Sequence, residues 1–403
     1  MPSDSISIFL FVVSVQFVLL CSIGSSQKAG FTSIDCGASY PSTYTATDGI
    51  VWISDSNLTS QGISVRLSDN VLNQMLATMR LFNGTQSKYC YSFTNSMNSY
   101  IVPKAFFLVR ASIMPGTNPP YTPKSSDGMF RFKMIVDGDE WQDVEIPYGD
   151  TRWWTYDVYM RPQRNSIDVC FARDSPDGDA PFVSGLELRP LPDTLSTTVN
   201  MTATGRIFLG LGHFNFGVET SALFGVRYPN DTFDRFWIPR NASIPNMITT
   251  EETINTLNVR DQPPQKILQS AYTASPYFAV TTTGLEVGSK HYVQFYFAEI
   301  DPLVTAGGMR VFNVSANDKS LTSTPLDVFS EVGANTAYSF AAMVDPDVTG
   351  AILFSFNTVP TPTFSPFLAA AELFNTRLSN TLTPSVIATD DWHLCKDCFS
   401  AVS

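Results

Sequence analysis

The chain has 403 residues, of which 44% are hydrophobic and only 15% are charged. A typical soluble chain carries about 25% charged residues, so this composition excludes a disordered acidic protein and favours a large folded core. The 25 basic and 37 acidic residues give a net charge of −12, which excludes the basic surface that binds nucleic acid. Only three His residues occur, so a His-rich metal site is excluded and no cofactor is expected.

The N-terminal segment is apolar and lacks basic residues. No Lys or Arg occurs in residues 1–27, and residues 6–23 form an apolar run that ends in Gly24, Ser25 and Ser26. An apolar run followed by small residues is typical of a secretory signal peptide. We therefore predict a signal peptide over residues 1–26 and a protein that is secreted or held at the cell surface. The alternative is an uncleaved N-terminal anchor, because a run of this length can just span a bilayer.

Short apolar or alternating runs between Gly, Pro, Asn and Asp clusters dominate the rest of the chain. This pattern is typical of an all-β sandwich. Helical periodicity is poor, and its best candidates are Asn70–Arg80 and Thr249–Asn258. The predicted strands, in chain order, are Phe106–Met114, Met129–Val136, Ser166–Ala172, Val183–Leu188, His291–Ile300, Met309–Val314, Ala351–Phe356 and Phe367–Phe374.

The second half of the chain repeats the first. Residues 181–188 align with 366–373 at an offset of 185, 106–115 align with 293–302 at 187, and 131–135 align with 310–314 at 179. Their order is preserved, which predicts two superposable β-sandwich modules of about 170 residues, each with its own sheets. We assign residues 27–192 to the first module, 193–380 to the second and 381–403 to a C-terminal tail.

Cysteines and sequons fit an extracellular chain. After signal removal five Cys remain, an odd number that leaves at least one thiol outside the intramolecular disulfides. We predict that Cys170 is a buried free thiol and that Cys36 and Cys90 can form a bridge, although sequence does not fix the connectivity. The candidate N-glycosylation sites are Asn57, Asn83, Asn200, Asn230, Asn241 and Asn313.

Residues that could carry catalysis or bind metal have simpler structural explanations. Cys395 and Cys398 form a CxxC pair, but it lacks both a βαβ context and a second pair of ligands. Asp137-Gly138 is typical of a hairpin turn rather than a calcium loop. Glu187 and Glu372 occupy equivalent repeat positions, which favours a repeated structural role. No catalytic motif is present, so we predict a protein that is not an enzyme and has no metal site.

Aromatic side chains are the best signal for a ligand, because sugars stack their apolar faces on such rings. Many Tyr and Trp side chains are buried in cores, so about half of these rings are expected to have a structural role. The candidates lie in three stretches of the first module: Tyr44; Tyr89 and Tyr91; Trp141, Trp153 and Trp154.

Several motifs together resemble a known family. They include FTSIDCG (31–37), TDGIVWISD (47–55), KYCYSF (88–93), RYPNDTFDRFW (227–237) and SPFLAAAELF (365–374). In this order they resemble the malectin-like extracellular domain of plant receptor-like proteins and kinases, in the variant that precedes leucine-rich repeats. Here no repeats, membrane span or kinase follow, so the chain looks like an ectodomain alone.

The resemblance implies a fold and a class of ligand. The fold would be a tandem pair of malectin-type, jelly-roll-like β-sandwiches. The ligand would be cell-wall carbohydrate, with Asp179 at the position where animal malectin carries a ligand aspartate. The alternative is a secreted peptide or the ectodomain of a co-receptor. Contact with a membrane would occur only through the N-terminal segment, if it is not cleaved.

Secretion gives the first testable prediction. The mature protein should begin near Gln27 and carry glycans on several sequons, because the signal peptide directs the chain into the secretory pathway. N-terminal sequencing and glycopeptide mass spectrometry of protein from the culture medium measure both. A secreted chain that still begins at Met1, or a cytosolic chain with unmodified Asn230, would contradict it.

Overall fold

A computed structural model describes residues 27–39, 42–67, 73–97, 100–116, 121–198, 207–217, 225–240, 246–360 and 364–375. Four features predicted from the sequence lie outside these residues. They are the signal peptide at 1–26, the C-terminal tail with Cys395 and Cys398, and the sequons Asn200 and Asn241.

Thirteen strands build the first module. Their apolar residues fill a common core, and several of the strands are buried on their other face as well. The strands are β1 Thr32–Asp35, β2 Thr43–Thr45, β3 Val51–Ser54, β4 Ile63–Arg66, β5 Thr78–Leu81, β6 Lys88–Thr94, β7 Phe106–Ile113, β8 Met129–Val136, β9 Asp139–Pro147, β10 Trp154–Met160, β11 Ser166–Arg173, β12 Phe182–Val183 and β13 Gly185–Leu191. Short 3₁₀ helices cover Asp55–Asn57, Gln74–Ala77 and Asn95–Met97.

The second module follows the helix α1 (Asp193–Thr198). Its helices are α2 Gln265–Leu268 and α3 Val328–Val332. Its strands are β14 Ile207–Phe216, β15 Trp237–Arg240, β16 Met247–Thr249, β17 Ser270–Thr273, β18 Tyr277–Thr282, β19 His291–Ala298, β20 Phe312–Ala316, β21 Lys319–Ser320, β22 Ala337–Val344, β23 Ile352–Thr358, β24 Phe367–Leu368 and β25 Ala370–Asn375.

The strand order is the same in both halves. In the first, a large sheet β3-β1-β13-β7-β10 packs against β6-β11-β8-β9 and β12-β5-β4; in the second, β15-β14-β25-β19-β22 packs against β18-β23-β20-β21 and β24-β17-β16. Each half has its own hydrophobic core. The tandem β-sandwich fold is therefore confirmed. The boundary between 192 and 193 stays a prediction, and Leu209 from beyond it packs in the first core.

The expectation that each module has separate sheets is wrong. The last strand of the first large sheet, β10, pairs antiparallel with β14, the first strand of the second module. The paired residues run from Asp157 opposite Gly210 to Met160 opposite Ile207. Both large sheets are thereby joined into one sheet of eleven strands. An exposed strand edge is a row of unpaired hydrogen-bonding groups, and the second module covers the one that β10 would otherwise present.

Only one of the three repeat alignments has the correct register. At an offset of 185, Glu187 on β13 matches Glu372 on β25. These two strands have equivalent neighbours in the sheet, β1 and β7 for β13 and β14 and β19 for β25. The offset of 187 instead matches Arg110, on the outer face of its sheet, with Phe297 in the core. The offset of 179 matches buried Met134 with exposed Asn313. Both of these offsets are wrong by an odd number of residues, which moves every side chain to the opposite face.

Local predictions had mixed outcomes. Asp137 and Gly138 form the two-residue hairpin turn between β8 and β9, both with positive φ, as predicted. The helix predicted over Asn70–Arg80 is wrong, because its described part is one 3₁₀ turn followed by β5. The helix predicted over Thr249–Asn258 is also wrong, because this segment is the end of β16 and a loop. Tertiary pairing overrides the weak helical periodicity at both places.

The disulfide joins Cys90 to Cys170, so the predicted bridge between Cys36 and Cys90 is wrong. Cys90 and Cys170 lie directly opposite each other on the antiparallel strands β6 and β11. Cys36 is instead the buried free thiol among the described residues, and burial raises its pKa well above the usual value.

Cys170 is buried, as predicted, but it is not a free thiol and does not lie in the core, because the alternation of β11 has the opposite phase. Ile167, Val169 and Phe171 fill the core, which puts Cys170 on the outer face of the sheet. There it is covered by its disulfide partner rather than by the core.

Removing the disulfide should destabilise the fold. The bridge spans 80 residues, and a cross-link of this kind contributes about 2–4 kcal/mol, mainly by restricting the unfolded chain. A Cys90→Ala, Cys170→Ala double variant should lose that amount in urea unfolding. Reductant should destabilise the wild type and a Cys36→Ala control but should leave the double variant unchanged. Equal sensitivity of all three to reductant would contradict the assignment.

Candidate ligand-binding cleft between the modules

The outer face of the first large sheet carries charged side chains that are fully covered. Arg110 on β7 donates to both carboxylate oxygens of Asp157 on β10, at 2.7 and 2.8 Å. Beside them, Arg189 on β13 donates to Glu187 on the same strand. Buried charges are retained only where they are paired and hydrogen-bonded. This face must therefore be covered by something that completes the pairing.

The covering element is the segment 225–236 of the second module. Asp234 Oδ2 accepts from Arg189 Nε at 2.7 Å and from Arg227 Nη2 at 2.7 Å. Arg227 Nη2 also donates to Glu187 Oε2 at 2.6 Å, and Arg110 Nη1 donates to the carbonyl of Asp234 at 3.0 Å. Three arginines thus face three carboxylates. We call Arg110, Asp157, Glu187, Arg189, Arg227 and Asp234 the junction network.

The electrostatics of the junction network favour the ionised forms of Asp234 and Arg227. Burial opposes the charge on Asp234, yet the neighbouring Arg227 and Arg189 guanidinium groups hold the pKa of that carboxyl well below its usual range. Burial likewise opposes the charge on Arg227, but Asp234 and Glu187 keep its pKa well above the usual value. The ion pair between Arg227 and Asp234 is therefore present across the physiological pH range.

The same segment reaches the second large sheet through its other end. Arg235 donates to Asp231 at 2.7 Å and approaches Glu372 at 3.4 Å. Burial raises the pKa of Glu372 to about 7 despite the nearby Arg235. Glu187 and Glu372 are equivalent in the repeat, and each binds an arginine of segment 225–236. This is the repeated structural role that the sequence predicts for them.

A cleft opens where segment 225–236 meets the loops of the first module. Its volume is about 490 Å³, within the usual range for a site that holds a small ligand or part of a larger one. Trp153 stacks on Phe236 across the junction, with ring centroids 5.1 Å apart. The cleft is lined by the rings of Tyr44, Trp153, Tyr228 and Phe236 and by the polar side chains of Asp48, Asn73, Gln74, Arg227 and Asn230.

Two polar groups bear on the chemistry of the cleft. The Tyr44 hydroxyl donates to Asp35 Oδ2 at 2.8 Å, and burial raises the pKa of Asp35 to about 7. Trp153 Nε1 is buried without a hydrogen-bond partner. A buried donor without a partner is uncommon, because the great majority of buried polar groups are hydrogen-bonded. Rings, amides and one carboxylate together can bind a ligand with both apolar and hydroxyl or amide groups.

The structure separates the predicted site residues into two groups. Tyr44 and Trp153 line the cleft. The other four rings are at most 4% exposed and belong to the first core, so they present no surface to a ligand; these are Tyr89, Tyr91, Trp141 and Trp154. They are buried because their strands alternate and each ring has an inward position.

Asp179 is also buried and already hydrogen-bonded. Its two carboxylate oxygens accept from the backbone N–H groups of Lys124 and Arg131, at 2.8 and 2.9 Å. These bonds fix the loop that precedes β8. The role of ligand aspartate, which the resemblance implies for Asp179, therefore has no support from its position.

Sequence reasoning missed most of the cleft. Asp48, Asn73 and Gln74 carry no signal in the sequence, because they are ordinary polar loop residues. Segment 225–236 did carry a signal in the sequence. Only 15% of the chain is charged, yet four charged residues fall within nine positions of this segment: Arg227, Asp231, Asp234 and Arg235. Its arginines and aspartates alternate with Phe and Tyr, which is unusual for a solvent-exposed loop.

Four sequons lie among the described residues. Asn57, Asn83, Asn230 and Asn313 all have exposed side chains, as glycosylation requires. Asn230 stands at the cleft itself. Attachment of a glycan at any of them stays a prediction.

Receptor ectodomains of known structure share this architecture. The ANX2 ectodomain from Arabidopsis thaliana has a TM-score of 0.69 at 13% identity, over 88% of this chain and 99% of that chain. A plant complex of the peptide RALF23 with FER and LLG2 contains a chain with a TM-score of 0.66 at 16% identity, over 91% of this chain and 97% of that one. At these identities the likeness concerns the fold alone.

The sequence comparison is more specific. The model of the malectin-like domain matches residues 34–376, and the chain therefore belongs to the malectin-like domain family. The probable LRR receptor-like serine/threonine-protein kinase At1g67720 of Arabidopsis thaliana is 28% identical over 379 residues, which are 89% of this chain and 37% of that kinase. Another protein of that plant, At1g24485, is 25% identical over 89% of this chain and 67% of its own length.

The chain spans about two fifths of the length of the receptor kinases that it resembles. No helix in the described part of the chain is both long and apolar enough to cross a membrane.

The junction network should hold the two modules together. Asp234→Ala removes the carboxylate that two arginines share, and breaking a buried ion pair costs about 3–5 kcal/mol because a charge is left uncompensated. Urea unfolding measures this cost. Asp345→Ala is the matched control, because Asp345 forms an exposed pair with Lys290 at 2.8 Å and such pairs contribute at most about 1 kcal/mol. Equal effects of the two variants would contradict a structural role for the network.

Proposed function

We propose that this protein is an extracellular, non-enzymatic receptor-type module that binds a secreted peptide, alone or together with a co-receptor, in the cleft between its two sandwiches. The observation that carries the proposal is the cleft itself, which is lined by residues of both modules around Trp153 and Phe236. Clefts at domain junctions are frequent ligand sites, because they are concave and largely pre-formed.

The junction network holds one wall of the cleft in place, which suits recognition. The junction network fixes segment 225–236 on the first large sheet, so that Tyr228 and Phe236 have defined positions. A peptide that binds to a fixed surface loses less free energy to ordering of the receptor than one that must organise a mobile surface. Trp and Tyr rings are also the side chains most often found at the centres of protein–peptide interfaces.

Charge favours a cationic peptide. The chain has a net charge of −12, and Asp48 lies in the cleft lining beside the one arginine, Arg227, whose charge is already balanced by Asp234 and Glu187. An acidic receptor attracts a basic ligand at long range and increases the rate of association. The similar ectodomain in the complex with RALF23 and LLG2 supports a peptide and co-receptor as the class of partner.

Cell-wall carbohydrate is the second candidate. One observation favours it: the half-buried ring of Trp153 lies in the cleft lining together with Tyr44, Asn73 and Gln74. A sugar could stack on the Trp153 ring and form hydrogen bonds between its hydroxyls and the side-chain amides of Asn73 and Gln74. The buried positions of the other predicted rings weaken this candidate, because they leave only one cluster for stacking.

A binding experiment on the full secreted chain separates the two candidates. RALF23, with and without LLG2, and an array of plant cell-wall oligosaccharides are the probes. We expect the peptide to bind and the array to remain at background. Trp153→Ala and Phe236→Ala should each weaken peptide binding by about tenfold to a hundredfold, the loss expected when a buried aromatic contact is truncated. Calorimetry measures the affinity.

Tyr100→Ala is the matched control, because Tyr100 is an exposed ring outside the cleft, and it should bind like the wild type. Oligosaccharide binding that is lost in Trp153→Ala would establish carbohydrate as the ligand in place of the peptide. Binding of either probe that none of the cleft variants weakens would show that the cleft is not the site.

A further inference from the structure

The strand β22 is the second module's counterpart of β10. Glu187 pairs with Arg110, and Arg110 pairs with Asp157 on β10. In the second module the equivalent Glu372 pairs with Gln294, and Gln294 pairs with Ala341 on β22. Ala341 therefore corresponds to Asp157, and Met343 to Tyr159.

The two counterparts differ in what covers their outer edges. β10 is paired with β14 along Asp157–Met160. β22 is the last strand of the eleven-stranded sheet, and within the described ranges no strand pairs with its outer edge. Among the described residues, the second module thus shows no counterpart of the strand that completes this edge in the first module.

The direction of one hydrogen bond identifies the outward groups. Ala337 N–H donates to the carbonyl of Asn255, away from β19. Because directions alternate along an antiparallel strand, Ser339, Ala341 and Met343 also direct their N–H and C=O groups outward. None of these groups has a hydrogen-bond partner among the residues that the structure describes.

A loop covers the edge of β22 at Ala337, but the rest of the strand lacks the residues that usually prevent strand addition. Its sequence, AYSFAAMV, contains no charged residue and no Pro, and natural edges are commonly protected by these residues. Met343 is 48% exposed and lies opposite Tyr292, a member of the apolar cluster between the modules. The buried apolar cluster of the junction therefore reaches the strand next to this edge.

We propose that the outer edge of β22 is a second binding surface, separate from the cleft, which takes up an extended, uncharged segment of another protein as an added antiparallel strand. The partner's backbone groups bond to Ala341 and Met343, as β14 bonds to the equivalent positions of β10. Strand addition of this kind obtains affinity from main-chain hydrogen bonds and specificity from alternate side chains.

The chemistry of the edge defines the partner. In the first module, Asp157 brings a charge to this position and requires Arg110 to balance it. In the second module Ala341 and Gln294 replace that pair, so the partner needs no charge there. Its side chain beside Met343 should be apolar, as is the polarizable methionine itself.

A second copy of this chain fits the edge less well. A free edge of about seven residues is about 23 Å long, and two such edges in contact form only a narrow strip. Stable interfaces between proteins bury about 1,200–2,000 Å². A flexible segment is not subject to this requirement, because it can wrap along the edge without bringing two rigid bodies together.

The probe for the test is a synthetic peptide with the sequence of β14, Ile207–Phe216, with lysines at both ends for solubility. We expect saturable binding to the full secreted chain by fluorescence anisotropy. Ala341→Pro removes an outward N–H without removing a bond to β19, and Pro is tolerated at such edge positions. Met343→Lys puts a charge on the edge. Each variant should weaken binding by about tenfold or more, consistent with the loss of a main-chain hydrogen bond and its neighbouring contact.

Three controls make the result specific. Val348→Lys adds the same charge at a position that is 91% exposed and outside the strand, and it should bind like the wild type. A peptide methylated at the backbone nitrogens of Phe208 and Gly210, which lie opposite Tyr159 and Asp157, should not bind. Trp153→Ala should leave this binding unchanged, so that failure of the edge proposal and failure of the cleft proposal are distinguishable.

Two results would overturn the proposal. One is absence of binding, or binding that neither Ala341→Pro nor Met343→Lys weakens. The other is a concentration-dependent dimer in sedimentation that Met343→Lys abolishes, because the edge would then be occupied by a second copy of the chain.

Discussion

The architecture depends on one buried set of ion pairs between the two sandwiches. Asp234 accepts from Arg189 and Arg227, and its own carbonyl accepts from Arg110. Removing such ions from water costs several kcal/mol each, and only close, fully hydrogen-bonded geometry offsets that cost. Asp234 also has a positive φ of 59°, a conformation that is rare for a residue other than glycine. The network therefore selects one arrangement of segment 225–236, and with it one relation between the modules.

The cleft follows from this constraint. One wall consists of first-module loops with Tyr44 and Trp153, and the other consists of Tyr228 and Phe236 from the segment that the network holds. Neither module forms the cleft alone. The joined sheet belongs to the same arrangement. β14 covers the edge of β10, and segment 225–236, which follows β14 in the chain, covers the charged outer face of the first large sheet. The second module completes the first, whereas the corresponding edge of the second, β22, has no such cover in the described structure.

Sequence patterns identified the elements far better than their partners. The core strands were predicted because period-two alternation is a local property, and the Asp137-Gly138 hairpin because its two residues tolerate positive φ. The repeat was recognised, yet two of its alignments matched identical residue types that lie on opposite faces of their sheets. One of these alignments placed the outward Arg110 against Phe297 in the core. When a strand alignment is shifted by an odd number of residues, core positions are matched with surface positions. Identical residue types are therefore a poor guide to the register, which depends on the alternation of inward and outward side chains.

By itself the sequence determined the all-β class, the two modules, the family and the structural role of Glu187 and Glu372, because these are encoded in local alternation and in motifs of fixed order. Only the tertiary structure decided which strands lie side by side. It paired Cys90 with Cys170, buried Tyr89 and Trp141 in the core, and brought Trp153 to Phe236. The physical reason is distance along the chain: these contacts join residues about 80 positions apart or depend on the face of a sheet, and neither is recorded in the spacing of neighbouring residues.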